Sequence, residues 1–290
     1  MGASTAKLHH SIISADSAKS AATQAPAAPA ERARGPLPAR GLLMLHGILG
    51  SGTNLRSLAL QLAQQAPDLA WVLVDLRGHG RSEHGPAPHD VAHCATDLVA
   101  LGRGLELEIV GVVGHSFGGK VALAYHQLQP ELERVVLLDS APFARPYRAG
   151  SEQTMQIIGL LERAPKSFAT RAEFIAYVHK HGHSRAIADW LAMNLERHDA
   201  GLRLRVDLAQ IRALLDDYFT LDLGAVLQQS QAHIDLLIAG RSEVYGPNEV
   251  ARAEGLAHES GGRVRVHPLP DAGHWLHVDE PQAVLRILAH

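Results

Sequence analysis

Ser116 is the residue whose neighbours most strongly favour chemistry. Residues 114–118 read Gly-His-Ser-Phe-Gly, the pattern G-x-S-x-G of a sharp turn that lifts a serine hydroxyl above a sheet. Glycines stand where a Cβ atom would clash in such a turn. Apolar residues 109–113 predict a buried strand before the turn, and a helix is predicted from Lys120 onward. This context favours a nucleophilic serine over a serine that only caps a helix.

His274 is the candidate base for this serine. A serine hydroxyl is a weak nucleophile, so it needs a neighbouring base and a group that orients the base. After a turn of this kind, the acid and then the histidine follow the serine along the chain. His274 lies in the loop between the last predicted strand and the last predicted helix, which singles it out among 19 histidines.

The elements around the turn predict an α/β fold. Buried strands alternate with helices in the first half of the chain, and the sheet pattern resumes near its end. This order predicts a mostly parallel central sheet with helices on both faces. The strands are predicted at 41–46, 71–75, 109–113, 134–139, 233–239 and 263–269, with helices at 55–65, 89–103 and 281–288.

Residues 142–230 break this alternation. Helical segments follow one another there without a convincing strand between them. We therefore predict a helical cap over 142–230, inserted between two parts of the core at 39–141 and 231–290. A cap at this point would lie beside the strand ends, where α/β sheets bind ligands. Its helices are predicted at 155–163, 171–179, 186–195 and 208–215.

The N-terminal segment, residues 1–38, is predicted to be partly disordered. Residues 8–14 predict an edge strand, whereas the Pro/Ala/Ser tract from there to Pro38 has few large apolar residues and is expected to be flexible. The segment lacks the apolar stretch of a secretory signal. Its basic residues leave an organellar presequence as an alternative to a mature N-terminus.

Composition argues against several classes of function. The net charge is −3 and no stretch concentrates basic residues, so neither nucleic acid nor an anionic membrane is an expected partner. No run approaches the roughly 18 apolar residues of a membrane span. The single Cys94 cannot form an internal disulfide, which suits a reducing compartment. We expect a soluble protein of the cytoplasm, or of an organelle after presequence cleavage, in an oligomeric state that stays open.

Four motifs in order resemble the YbfF-type esterases of the α/β-hydrolase superfamily. The resemblance covers nearly the whole chain from Gly41, apart from the cap. Each motif alone is common in the superfamily, and their joint occurrence is the specific signal. They are His-Gly-Ile-Leu-Gly-Ser-Gly-Thr-Asn-Leu at 46–55, Asp-Leu-Arg-Gly-His-Gly-Arg-Ser at 75–82, Gly-His-Ser-Phe-Gly-Gly-Lys-Val-Ala at 114–122 and Ala-Gly-His-Trp-Leu-His-Val-Asp-Glu-Pro at 272–281.

The resemblance leaves two candidates for the acid that orients His274. In most α/β hydrolases the acid follows the strand predicted here at 233–239, which favours Glu243. The YbfF-type pattern tends to carry a serine there, as Ser242 would match, and to take its acid from the end of the preceding strand. Asp139 stands at that end, and it is the preferred candidate. Either carboxylate would fix the imidazole tautomer and stabilise the imidazolium.

The resemblance also implies an oxyanion hole, an α/β-hydrolase fold and a reaction. It assigns the two oxyanion donors to the backbone N–H groups of Ile48 and Phe117. We expect a serine hydrolase that cleaves small carboxylic esters or thioesters through an acyl-enzyme, without a metal or an organic cofactor. Carbon-carbon bond hydrolases, lyases and perhydrolases share this triad and remain alternatives, as does a hydrolase-fold receptor that binds a ligand.

Overall fold

The structure is a computed structural model that describes residues 5–22, 37–145, 152–199 and 201–289. Within these residues, strands and helices alternate along most of the chain. The strands are β1 His10–Ile13, β2 Arg40–Leu45, β3 Leu69–Val74, β4 Glu108–His115, β5 Arg134–Leu138, β6 Leu195–His198, β7 Gly201–Leu204, β8 His233–Ala239 and β9 Val264–Leu269. The helices are α1 Ala15–Ala22, α2 Arg56–Gln65, α3 Val91–Arg103, α4 Phe117–Leu128, α5 Glu152–Glu162, α6 Arg171–Lys180, α7 Arg185–Leu191, α8 Leu208–Thr220, α9 Gly224–Gln229, α10 Pro247–Glu259, α11 Leu276–Asp279 and α12 Pro281–Leu288, with short 3₁₀ turns at Gly52–Leu55 and Ala192–Asn194.

The main sheet has the order β1-β3-β2-β4-β5-β8-β9 in the described part of the chain. All its pairings are parallel except that of β1, which runs antiparallel along the edge of β3. From β2 the chain moves outward to β3, and from β4 it moves the other way to β5. The order therefore reverses between β2 and β4, which is the point where open α/β sheets bind ligands at the carboxyl ends of their strands.

Both faces of the sheet are covered by helices. One face packs against α2 and α12 through an apolar cluster that includes Leu58, Trp71 and Val284. The other face packs against α3, α4 and the helices between β5 and β8. Since the parallel strands are buried on both faces, they read as continuous apolar runs in the sequence. The predicted mostly parallel sheet with helices on both faces is confirmed.

The region predicted as an all-helical cap also contains strands. Helices α5 to α9 lie between β5 and β8, but β6 and β7 form an antiparallel hairpin among them. The predicted absence of strands was wrong here. Only β7 has an alternating pattern, in which Arg203 stands between Leu202 and Leu204, and strands of four residues are too short for that period to stand out. The boundaries of the cap at 142 and 230 stay a prediction.

The N-terminal prediction was partly wrong. Strand β1 falls within the predicted residues 8–14 and forms the sheet edge. Residues 15–22, predicted to be flexible, instead form α1, which places Ala18 in the apolar cluster under α2. Alanine and lysine favour a helix on their own, and small side chains allow close packing where large ones are lacking. Residues 1–4 and 23–36 lie outside the described residues.

Candidate active site

Ser116 stands between the end of β4 and the start of α4, at the middle of the sheet. Its backbone has φ 52° and ψ −118°, a conformation that costs a non-glycine residue energy and that clusters at functional sites. A Cβ atom on Gly114 would lie 2.2 Å from the carbonyl oxygen of Gly118, and one on Gly118 would lie 2.6 Å from that of His46. The glycines of the motif therefore let α4 start directly against the strands.

Ser116 and His274 open onto the same cavity. His274 reaches it from the loop between β9 and α11, and its side chain is 39 % exposed. The cavity has two compartments that both include these two residues and Ile48. A chemical group at the bottom of either compartment would meet the serine hydroxyl and the imidazole together.

Asp139 is the acid that contacts His274. Its Oδ2 lies 2.7 Å from His274 Nδ1, and its side chain is fully buried at the end of β5. The other carboxylate oxygen accepts a hydrogen bond from the N–H of Ala239 at 3.2 Å. Asp139 itself has a positive φ of 46°. The chain therefore turns sharply at the end of β5, where the carboxylate contacts Ala239 and His274. Because the carboxylate accepts from Nδ1, the Nε2 atom takes no part in this hydrogen bond.

Glu243, the alternative acid, lies elsewhere in the site. It is exposed and lines the larger compartment. Its backbone carbonyl accepts a hydrogen bond from Arg145 Nη2 at 2.8 Å. His274 Nδ1 donates its hydrogen bond to Asp139 and not to this glutamate.

Residues 47–50, which we call the oxyanion turn, hold one predicted oxyanion donor. The N–H of Gly50 donates to the carbonyl of Gly47 at 3.0 Å, which closes a tight turn and leaves the N–H of Ile48 outside that closing bond. A Cβ atom on Gly47 would lie 3.3 Å from Ser116 Cβ, so the turn lies against Ser116. Phe117, the other predicted donor, is the first residue of α4, where N–H groups have no partner within the helix.

The buried ring of His46 holds the oxyanion turn through a hydrogen bond to Gly47. Its Nε2 accepts the N–H of Leu76 at 3.0 Å, so its Nδ1 carries the proton and donates to the carbonyl of Gly47 at 2.7 Å. Burial lowers the pKa of His46 to about 4. The ring therefore stays neutral near pH 7. Its proton is on Nδ1, where it forms the hydrogen bond to the carbonyl of Gly47.

Two further histidines lie next to His274. The ring centre of His115 lies 4.8 Å from that of His274, and the ring centre of His277 lies 4.9 Å from that of His115. His115 Nε2 donates to the backbone carbonyl of His274 at 2.8 Å. Burial lowers the pKa of His115 well below its usual value and that of His277 to about 4. Both rings are thus neutral near pH 7, and they hold the loop of His274 without competing for its proton.

The two compartments differ in character. The apolar compartment has a volume of about 300 Å³, and the polar compartment has a volume of about 420 Å³. The apolar compartment is lined by Leu55, Ile157, Ile187, Trp190, Trp275 and Val278. The polar compartment is lined by Arg145, Gln153, Thr154, Arg241, Ser242 and Glu243.

The cap is attached to the core through Lys120, one turn beyond Ser116 on α4. Its ammonium group is buried and donates to three backbone carbonyls, those of Phe143, Tyr218 and Leu221, at 2.5–2.8 Å. It also lies 4.6 Å from the centre of the Tyr218 ring. Burial lowers the pKa of Lys120 to about 7. The helix that follows Ser116 is thereby bound to the end of α8 in the cap.

Some residues of the site carried no recognisable signal in the sequence. The cap residues Trp190 and Asn194 belong to no motif, and only the three-dimensional structure brings them to the site. His277 lies inside a recognised motif, but its spacing of three from His274 alone does not indicate its contact with His115. Within the described ranges, no group of three or more His, Cys, Asp or Glu side chains is arranged to hold a metal ion. No helix there is long and apolar enough to cross a membrane.

The sequence matches a family model over most of its length. The model is that of the Alpha/beta hydrolase family, and it matches residues 42–287. The chain is 30 % identical over 253 residues to the sn-1-specific diacylglycerol lipase ABHD11 of Mus musculus, covering 83 % of this chain and 77 % of the mouse protein. It is 28 % identical over 249 residues to esterase YbfF of Escherichia coli (strain K12), covering 85 % and 91 % of the two chains.

A solved structure with the same fold covers nearly the whole chain. The protein described as a marine microorganism esterase superposes with a TM-score of 0.78 and covers 98 % of each chain. Its sequence is 22 % identical to this one, so the likeness concerns the fold.

Proposed function

The chain belongs to the alpha/beta hydrolase family and is a carboxylic ester hydrolase, and we propose that Ser116, His274 and Asp139 carry out its reaction. The observation that supports this most directly is the contact between Asp139 Oδ2 and His274 Nδ1 at 2.7 Å, beside a strained serine in the same cavity. The acid and the nucleophile come from the ends of β5 and β4, which are rigid elements, and the base comes from the loop after β9.

The first half of the proposed reaction forms an acyl-enzyme. The Oγ of Ser116 attacks the ester carbonyl carbon while His274 Nε2 takes the hydroxyl proton. The negative charge that develops on the carbonyl oxygen is stabilised by the N–H groups of Ile48 and Phe117. When the tetrahedral intermediate collapses, the carbon–oxygen bond to the alcohol breaks and His274 gives its proton to the leaving alcohol. A thioester would lose its thiol in the same way.

The second half releases the acid. A water molecule gives a proton to His274 and attacks the acyl carbonyl, and the bond to Ser116 Oγ then breaks as the serine regains its proton. Asp139 stays ionised and stabilises the imidazolium in both halves. Because the Asp139 side chain has no exposed surface, water does not weaken the attraction between its carboxylate and the imidazolium.

The shape of the cavity supports a division of the substrate between its compartments. We propose that the acyl chain lies in the apolar compartment, where its hydrocarbon surface would pack on Ile157, Ile187 and Trp190. Each buried methylene would contribute about 0.8 kcal/mol. The alcohol or thiol portion would then extend into the polar compartment past Arg145 and Arg241. A cavity of this size fits an acyl chain of modest length.

The rival functions use the same residues differently. A carbon-carbon bond hydrolase, lyase or perhydrolase would share the triad, and a receptor would bind a ligand with little turnover. The names of the relatives, an esterase and a lipase, support ester hydrolysis over these rivals. A cytoplasmic location is also part of the proposal, because Cys94 is free and buried, as is typical of proteins in a reducing compartment.

Hydrolysis of p-nitrophenyl esters tests the proposed function. We expect turnover of acetyl to octanoyl esters by the protein, and a loss of about a millionfold in kcat for Ser116→Ala. Ser57→Ala, an exposed serine on α2, is the matched control and should keep full activity. Equal turnover by the Ser116→Ala variant would disprove the proposal, and so would the absence of ester turnover by the unmodified protein.

A further inference from the structure

We propose that Asn194, a cap residue, is a positioning residue that holds the oxyanion turn in its active conformation. The inference rests on the proposed function, because it concerns the turn that carries the Ile48 N–H group. Asn194 lies at the end of the 3₁₀ turn after α7, and it is 6 % exposed. No motif or comparison assigns it a role.

The contact between Asn194 and the oxyanion turn is direct. Asn194 Nδ2 donates to the carbonyl of Leu49 at 2.8 Å, across 145 positions of the sequence, and to the carbonyl of Leu191 at 3.3 Å. Both partners are carbonyl oxygens, so the amide nitrogen must face them, and its two hydrogens match the two acceptors. One hydrogen bond anchors the side chain within the cap, and the other ties the cap to the turn.

Leu49 is the part of the turn that most needs support. It has a φ of 58°, which a leucine rarely adopts and which other contacts must stabilise. Its carbonyl belongs to the planar peptide that continues into Gly50, and Gly50 closes the turn. Fixing this peptide orients the N–H of Gly50, which donates to the carbonyl of Gly47, and that carbonyl shares its planar peptide with the N–H of Ile48.

His46 and Asn194 hold the oxyanion turn from opposite sides. His46 Nδ1 donates to the carbonyl of Gly47 from the core, and Asn194 Nδ2 donates to the carbonyl of Leu49 from the cap. The hydrogen bond from the core holds the Gly47–Ile48 peptide, and the hydrogen bond from the cap holds the Leu49–Gly50 peptide, while the Leu49 side chain packs in the core cluster. A cap that moves away from the core would remove the hydrogen bond to the carbonyl of the strained residue.

The same cap segment also contacts the loop of the base. The ring of Trp190, on α7, packs edge-on against Trp275 with 5.7 Å between their centres, and Trp275 directly follows His274. Residues 185–194 thus contact the oxyanion turn at Leu49 and the histidine loop at Trp275. The segment that lines the substrate cavity also aligns the groups that react with the substrate.

Ester hydrolysis by Asn194 variants tests the inference. Asn194→Ala removes the donor, and Asn194→Asp keeps the shape while replacing the donor with an acceptor. We expect both to lower kcat by about 10- to 100-fold with KM changed by less than about threefold, because a misplaced oxyanion donor weakens the transition state and not the bound ester. The affinity for phenylboronic acid, whose tetrahedral adduct carries the negative oxygen, should fall by a similar factor.

Arg205→Gln is the matched control. Arg205 Nη1 also donates from the cap to a core carbonyl, that of Gly80 at 2.6 Å, but Gly80 is not part of the oxyanion turn. The concentration of active sites in each variant is measured by titration with a fluorophosphonate that is run to completion. Since kcat is calculated from this concentration, unfolded protein does not lower it. We expect kcat of Arg205→Gln to stay within about threefold of the unmodified protein.

The outcomes separate the inference from the proposed function. If both Asn194 variants match Arg205→Gln in kcat and in boronic acid affinity, while the unmodified protein hydrolyses esters, the inference is wrong and the proposed function stands. A rise in KM at constant kcat would also overturn it, because the residue would then act on substrate binding. Absence of ester turnover in the unmodified protein would overturn both.

Discussion

Asp139 is a fully buried carboxylate at the candidate active site. Its side chain has no exposed surface, and burying an ionised carboxylate is costly unless hydrogen bonds replace its water. Here the N–H of Ala239 and the ring of His274 supply those hydrogen bonds. A group held at this cost, at a positive φ, is more consistent with a catalytic acid than with a turn residue.

The two candidate acids give opposite results on mutation. Asp139→Asn should lower kcat by about three to four orders of magnitude, because an amide no longer favours the tautomer with the proton on Nδ1. Glu243→Gln should change kcat by less than about threefold, because its carboxylate is not the Nδ1 partner. Steady-state kinetics on one short ester compares them, and a larger loss for Glu243→Gln would contradict the assignment of Asp139.

At the scale of residues, the sequence indicated candidates only where they belong to motifs. Ser116 and His274 stand at positions whose strand and loop context is visible in the sequence. The choice between Asp139 and Glu243 depends on which strand end faces the histidine loop, and the sequence leaves both at suitable positions. Asn194 could not be predicted, because its partner Leu49 lies 145 positions away and a buried asparagine in a cap has no motif.

At the scale of elements, α4 positions the proposed nucleophile and also binds the cap. Ser116 directly precedes the first residue of α4. One turn later, Lys120 donates to the carbonyl of Phe143 and to two carbonyls at the end of α8. A cation near the carboxyl end of a helix is favoured by the helix dipole as well as by the hydrogen bonds. The cap is therefore fixed to the same helix whose first N–H group is proposed to bind the oxyanion.

Replacing Lys120 should weaken the attachment of the cap. Lys120→Met keeps an unbranched side chain but leaves three buried carbonyls without their donor, and we expect the free energy of unfolding to fall by about 3 kcal/mol. Urea denaturation measures it. Lys180→Met, at an exposed lysine at the end of α6, is the control and should change stability by less than about 0.5 kcal/mol. An unchanged urea midpoint for Lys120→Met would show that these hydrogen bonds do not support the fold.

Helix α7 should set the acyl chain length. Trp190→Ala enlarges the apolar compartment, so we expect the ester preference to move toward longer acyl chains, with kcat/KM for the acetyl ester lowered. Met193→Ala, an exposed residue of the same segment outside this compartment, controls for effects on the segment itself. A chain length profile of Trp190→Ala that matches that of Met193→Ala would place the acyl chain elsewhere.

The sequence predicted the sheet better than the cap for a physical reason. Parallel strands are buried on both faces, so each appears as an apolar run such as residues 71–74 that does not depend on its neighbours. In the cap, β6 and β7 are four residues each and only half-buried, so their pairing depends on contacts such as the Phe168 bridge to Leu202. Tertiary contacts of this kind leave no local pattern.

At the scale of the whole molecule, buried neutral histidines link stability to pH. Burial lowers the pKa of His46 and of His277 to about 4 and that of His79 to about 3. In the unfolded chain these rings have an ordinary pKa near 6.5. Between about pH 6.5 and pH 4, the unfolded state therefore binds more protons than the folded state, and the free energy of unfolding decreases as the pH falls through this range.

The loss of stability at acidic pH is testable at one of these histidines. A pKa lowered from 6.5 to about 4 corresponds to at most about 3 kcal/mol per ring. We expect urea midpoints to fall from pH 7.5 to pH 5, and His79→Asn, which removes a titrating ring, to show a smaller fall. His258→Asn, at an exposed position, should show the same fall as the unmodified protein. Equal stability at both pH values would contradict the buried neutral state of these rings.

The most direct test of the central claim is to find the residue that becomes covalently modified. The protein is incubated with a fluorophosphonate, and the labelled peptide is identified by mass spectrometry. The account predicts one phosphonyl group per chain, attached to Ser116, and no labelling of the Ser116→Ala variant. A label on another residue, or ester hydrolysis that persists in a Ser116→Ala variant with no label, would contradict it.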